Sequence, residues 1–395
     1  MTMPDGYESV ATDSTSRGGL GESTWVRLRP HLSVVPCGPD RVILRSGLWS
    51  GQNFSLADEG KKGKLSSLVM RLQSGCTVGQ LVAEFGEQSD ADIQNLLRQL
   101  KDHLLLDVFA RKPDRFQEGL QLASSFGARA GEELLTRVTS RRVVLWGLGG
   151  IGQRLAFQCA RLRVGELVLV DDASFSLDES PYVTGVVEEA GLTRAAATAR
   201  ALSVAFPNLS VVEAPVDSLG RFLDPARTHL VVALEAPDIG RLRRANELAL
   251  LSGTQWTAAV IDGTEVMVGP TFVPGQSACY ACFELRLEGN LLDYDGYRAH
   301  RDQLLTVGCG PSRGHPAALL DLAAGYVGYD LFRLLALGHG LTQGRLIRLN
   351  ATYGAVEQSD VLRLPRCPIC GKPARSRPNT AVFTTLEQVA QELGV

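Results

Sequence analysis

Four of the eight cysteines in this 395-residue chain fall in two Cys-x-x-Cys pairs. Cys279 and Cys282 stand in "SACYACFE", Cys367 and Cys370 in "PRCPICGK". Four thiolates carried on two tight turns suit tetrahedral zinc. The set holds no histidine and no carboxylate, so no coordination position is left open. The implied metal is structural and ties the end of the chain back to its middle. A redox Cys-x-x-Cys is the competing reading, but such a motif normally opens a helix after the first strand of its own fold. Cys159, in an apolar helical pattern, reads as core. Cys309, in "TVGCGPSRGHP" with His315 close by, reads as structural before it reads as a nucleophile.

A second constellation lies in "VVLWGLGGIGQRLA", residues 143–156. An apolar strand runs into Gly147, Gly149, Gly150 and Gly152, which open a helix. Such a loop turns helix N-terminal N–H groups toward a nucleotide phosphate. Asp171 and Asp172 end the next strand, where an acid hydrogen-bonds a ribose hydroxyl. NAD and ATP are served equally well, and a tight strand-to-helix turn without a ligand is the plain alternative.

The elements that must position these residues alternate. "RRVVLWG", "GELVLVDD" and "THLVVALEAPD" read as strands; "GQRLAFQCARLR", "TRAAATARALSVAF" and "RLRRANELALLSG" read as helices. The order βαβαβα predicts an α/β, doubly wound Rossmann-like sheet over residues 141–371. Further strands follow beyond residue 254, with a helix at about 316–338. Residues 24–110 form a smaller unit: the strands "LSVVPC", "RVILRSGLW" and "NFSLAD", three helical patterns, and a closing strand "LLLDVF". Thr77 and Gln80 have capping-box spacing at the second helix. Ile93, Leu96, Leu97 and Leu100 make one apolar stripe on the third. Three helices and a closing strand suggest a winged helix. Its third helix offers Arg98 and Lys101 against Asp90, Asp92 and Asp102, so a peptide fits it better than DNA. Residues 1–23 read as a disordered leader, 111–140 as a helical linker and 372–395 as a tail.

Composition sets the outer bounds. With 45% hydrophobic residues, 21% charged and a net charge of −3, the chain is ordinary for a globular protein, and nothing is basic enough for nucleic acid. No signal peptide is legible, and the longest apolar stretch carries Asp321, Asp330 and Arg333. No membrane span and a cytoplasmic location are therefore expected.

The glycine loop followed by two cysteine knuckles resembles the ThiF/MoeB superfamily, relatives of ubiquitin-activating enzymes, which adenylate a C-terminal carboxylate with ATP and magnesium. The resemblance matches Gly147, Gly149, Gly150 and Gly152 to the phosphate loop, Asp171 or Asp172 to the ribose acid, and Asp238 to the aspartate that handles magnesium. Active members supply an arginine where this chain reads "SLDESPYVTG", and a lysine where "GLTR" places Arg194. One cation of two is thus kept, in altered form. The stretches "VDDASFSLDESPYVTGVVEEAGLTRAAATARAL" and "VGPTFVPGQSACYACFELR" resemble a branch that binds leader peptides of ribosomally made, azole-forming natural products. That resemblance implies a winged-helix peptide-recognition module ahead of a ThiF-like body. It further implies presentation of the precursor to a YcaO-type cyclodehydratase. The leader would add a strand beside "NFSLAD", with Phe54, Leu56, Asn95 and Arg98 as walls; Phe54 and Leu56 as mere core is the alternative. An ATP-dependent adenylating enzyme is the competing function. Oligomeric state, a homodimer included, stays open.

Overall fold

Val42 and Leu44 alternate with half-exposed neighbours, and this period of two builds the first sheet. The computed structural model describes residues 20–49, 53–60, 62–85, 90–113, 131–176, 191–308 and 314–371. Most of "SLDESPYVTG", Cys309, the tail 372–395 and nearly all of the expected leader lie outside them. The chain divides into two compact units at Thr136 and Arg137.

In the first unit, β1 (Trp25–Leu28), β2 (Leu32–Pro36), β3 (Arg41–Ser46) and β4 (Asn53–Ala57) precede α1 (Leu65–Ser74). Then come β5 (Cys76–Thr77), α2 (Val78–Phe85), α3 (Asp90–Asp102) and β6 (Leu106–Phe109). The first sheet runs β2-β3-β4, antiparallel, with β4 at its edge. A second runs β5-β1-β6, also antiparallel. The strand β1 escapes a sequence reading because four residues carry too little pattern. The capping box forms: the Thr77 N–H donates to Gln80 Oε1 at 3.0 Å and the Gln80 N–H to Thr77 Oγ1 at 3.1 Å. On α3, Ile93, Leu97 and Leu100 are buried against Val42, Leu44, Leu68 and Leu72.

A helix α4 (Gly131–Thr139) carries the chain across the division, within the stretch expected to be a helical linker. The second unit then alternates β7 (Arg142–Trp146), α5 (Gly150–Arg161), β8 (Glu166–Val170), α6 (Arg194–Ala205) and β9 (Ser210–Glu213). It continues with β10 (Thr228–Leu234), α7 (Ile239–Ser252), β11 (Trp256–Asp262) and β12 (Glu265–Phe272). Last come α8 (Tyr280–Glu288), α9 (Tyr294–Val307), α10 (Ala317–Phe332), β13 (Arg345–Asn350) and β14 (Ala355–Asp360). One eight-stranded sheet has the order β14-β13-β12-β11-β10-β7-β8-β9. The run from β9 through β8, β7 and β10 to β11 is parallel, and β12 to β14 continue it antiparallel. Strand order reverses between β7 and β10, which opens the ligand crevice of a doubly wound sheet. Strands β7, β8 and β10 are buried on both faces, as parallel strands under helices must be. No helix among the described residues is long and apolar enough to cross a membrane.

Candidate functional site

The loop after β7 sits at that reversal, and close approach explains its glycines. Gly147 has φ +102°, and a Cβ there would stand 2.2 Å from the Ala233 carbonyl oxygen. A Cβ on Gly152 would stand 1.8 Å from the Gly147 oxygen. Gly150 begins α5 with Gly149 at its N-cap. The turn would need Gly147 and Gly152 even without a ligand.

Asp171 is buried. Its Oδ2 accepts from the Leu148 N–H at 2.6 Å and its Oδ1 from the Ala173 N–H at 3.0 Å. Arg194 Nη1 lies 3.9 Å from the same carboxylate. Asp172 is exposed and accepts from the Val216 N–H at 3.2 Å. Asp238 caps α7: its Oδ1 accepts from the Arg241 N–H at 2.9 Å, and its Oδ2 lies 3.3 Å from Arg241 Nε.

Two residues at this loop escape sequence reasoning. Arg241 lies over the Trp146 ring, 5.6 Å from its centroid, and reaches within 3.4 Å of where a Gly147 Cβ would stand. Besides the cation expected at Arg194, the fold brings a second guanidinium to the loop, from the first turn of α7. Glu235, just past β10, points its Oε1 to within 3.3 Å of the Ile151 nitrogen, while its carbonyl meets His315 Nε2 at 2.9 Å. Only strand order, which sets β10 beside β7, could have revealed either one.

The four cysteine sulfurs converge within 4.8 Å of one another. Cys279 and Cys282 are 3.8 Å apart, Cys279 and Cys367 3.7 Å, Cys282 and Cys370 3.5 Å. A tetrahedral site with metal–sulfur bonds of ~2.3 Å has sulfur–sulfur edges of ~3.8 Å, so the donor set fits a zinc-sized ion. All four are free thiols. The first pair does open a helix, since Cys279 is the N-cap of α8, but that helix follows β12 and not a first strand. The Leu364 N–H donates to Cys282 Sγ at 3.4 Å. Burial pushes the Cys367 thiol up, but N–H donors at Cys370 and Ile369 and bonds with Cys282 and Cys279 outweigh it, lowering the group to about 7.

In the first unit, Phe54 pairs with Leu44 and Leu56 with Val42, so both face the core side of the sheet. Leu56 packs against that core; Phe54, at the edge, stays 36% exposed. A cavity of about 280 Å³ lies between the end of β4 and α3, lined among others by Ala57, Leu65, Phe85, Asn95 and Leu96. Of the four expected walls Asn95 lines it, while Phe54, Leu56 and the exposed Arg98 stand outside this lining.

A doubly wound sheet with a glycine turn at its reversal and a four-cysteine cluster defines a Rossmann-type domain with a pair of cysteine knuckles that could hold a metal ion. The ThiF family model matches residues 122–368, and the chain belongs to that family. Ubiquitin-like modifier-activating enzyme 5 of Drosophila simulans is 27% identical over 160 residues, 37% of this chain and 40% of that protein. The Drosophila sechellia protein is 26% identical over the same shares. The chain thus spans well under half the length of these relatives. Among solved structures, E. coli MccB with ATP superposes with a TM-score of 0.64 at 16% identity, covering 88% of this chain and all of that one. The microcin C7 biosynthetic enzyme MccB with N-formylated MccA gives 0.63 at 17%, with the same coverage. A heterocyclase with substrate and cofactor gives 0.61 at 17%, covering 88% of this chain and 39% of that one. These likenesses show a shared fold.

Proposed function

We propose that the chain binds the leader of a ribosomally made precursor peptide and presents it to a YcaO-type cyclodehydratase. The observation that carries this reading is the pairing of an exposed edge strand, β4, with a cavity against α3. An extended peptide laid along β4 gains main-chain hydrogen bonds, and side chains reaching the cavity give specificity. The first unit is then a winged-helix recognition module at residues 24–110, ahead of the ThiF-like body at 141–371. Folds shared with MccB in complex with N-formylated MccA and with a heterocyclase in complex with substrate support this reading of a peptide partner. Action in the cytoplasm fits the same reading.

In the body, Cys279, Cys282, Cys367 and Cys370 hold a structural zinc. With four thiolates and no open position, the metal supplies folding energy and no chemistry. The competing function, ATP-dependent adenylation of a peptide carboxylate, draws on the kept glycines and Asp238, and on the ATP in one MccB structure. In that reading Asp238 handles magnesium, Arg194 faces the phosphates, and Asp171 or Asp172 takes the ribose.

The test uses full-length protein, a labelled cognate leader, and the precursor with ATP. Leader binding without pyrophosphate release, followed by ring formation once the YcaO-type partner is added, is the expected result. Precursor-dependent pyrophosphate release by the chain alone, abolished by Asp238→Ala, would make it an adenylating enzyme.

A further inference from the structure

The phosphate seat of the glycine loop carries an acid of the protein's own. An anion bound at such a loop takes the N–H groups at the start of the following helix. Here the Ile151 N–H is directed at Glu235 Oε1, 3.3 Å away, and the Leu148 N–H at Asp171 Oδ2, 2.6 Å away. The fit at Glu235 is close: a Cβ on Gly149 would stand 2.4 Å from the same Oε1. Gly149 therefore leaves room for a carboxylate as much as for a ligand. The cations are engaged as well, Arg194 facing Asp171 and Arg241 facing Asp238.

We infer that Glu235 is a built-in occupant of the anion seat and excludes nucleotide phosphate from the loop. Its carboxylate sits at the positive end of α5, where negative charge is favoured. It holds part of the Ile151 donor, and it repels a phosphate placed beside it. The anchor is the main chain: the Glu235 carbonyl meets His315 Nε2 at 2.9 Å, directly after β10. The inference concerns the second unit alone and does not depend on leader recognition by the first.

The experiment titrates the full-length protein with MgATP and, separately, with inorganic pyrophosphate, using calorimetry. Glu235→Ala removes the occupant; Glu235→Gln keeps its size without its charge and serves if the alanine variant folds poorly. Glu235→Ala should bind both probes at least ~10-fold more tightly than the unaltered protein, the gain expected from removing one like charge and freeing one donor. Glu235→Gln should fall between them. Equal affinities in all three proteins, whether measurable or below detection, overturn the inference, as does weaker binding in the variants. Leader affinity, measured on the same samples, should not change, which separates this result from the fate of the recognition reading.

Discussion

The Sγ atoms of Cys282 and Cys370 lie 3.5 Å apart although 88 residues separate them in the chain. Together with Cys279 and Cys367 they close a donor set that a zinc-sized ion fits. We expect about one zinc per chain by elemental analysis. Cys282→Ser should lose it and lower stability by several kcal/mol, because binding energy at such a site is folding energy. A metal-free protein that melts at the same temperature as the zinc form would contradict this.

Leader recognition should depend on Phe54 more than on Arg98. Both stand outside the cavity lining, but Phe54 is on the edge strand itself, 36% exposed, whereas Arg98 is on α3. Phe54→Ala should weaken binding of a labelled leader about 10-fold, the scale of a contact residue at an interface. Arg98→Ala should change it by about 2-fold or less. Fluorescence anisotropy with both variants checks the order, and the reverse ranking would move the peptide off this strand.

A hydrogen-bonded chain crosses the core of the second unit. His229 Nε2 meets Thr257 Oγ1 at 2.8 Å, Thr257 meets Thr271 at 2.6 Å, and Thr271 meets Thr342 at 2.7 Å. The Thr342 hydroxyl then donates to Asp330. Thr271→Val breaks this chain and leaves buried hydroxyls short of a partner, which should cost ~1–3 kcal/mol in a urea melt. Thr271→Ser should keep most of the stability.

Burial, with Arg141 nearby, lowers His229 from 6.5 to about 3. As pH falls below 6.5 the unfolded chain takes a proton that the folded one refuses. Stability of the second unit should therefore drop from about pH 6.5 toward pH 3, by on the order of a few kcal/mol. His229→Gln should flatten that slope in melts at several pH values.

Asp107 in the first unit has the opposite sign. Burial raises it from 3.8 to about 6 against the lowering pull of Arg29 and Arg27, and its Oδ2 has no hydrogen-bond partner among the described residues. The folded state holds this proton where the unfolded state has lost it. Its contribution is thus greatest below about pH 4 and disappears as pH rises through about 6, on the order of 3 kcal/mol in all. Asp107→Asn should remove that dependence, and an unchanged pH profile would show the carboxylate to be ionised throughout.

The sequence by itself determined the parts that local spacing encodes. The cysteine pairs, the glycine turn, the Thr77–Gln80 cap and the alternation of β7 to α7 are each written within a few neighbouring residues, because turn geometry and side-chain period are local. Short elements such as β1 and β9, and the polar helix α9, carry too weak a pattern to be read that way. What met the glycine loop was decided by tertiary structure alone. Glu235 and Arg241 lie more than eighty residues from the loop in sequence. They reach it because β10 pairs with β7 in parallel, Val232 opposite Trp146. Strand pairing rests on burying two apolar faces of the sheet at once, a property of the whole unit and of no single segment.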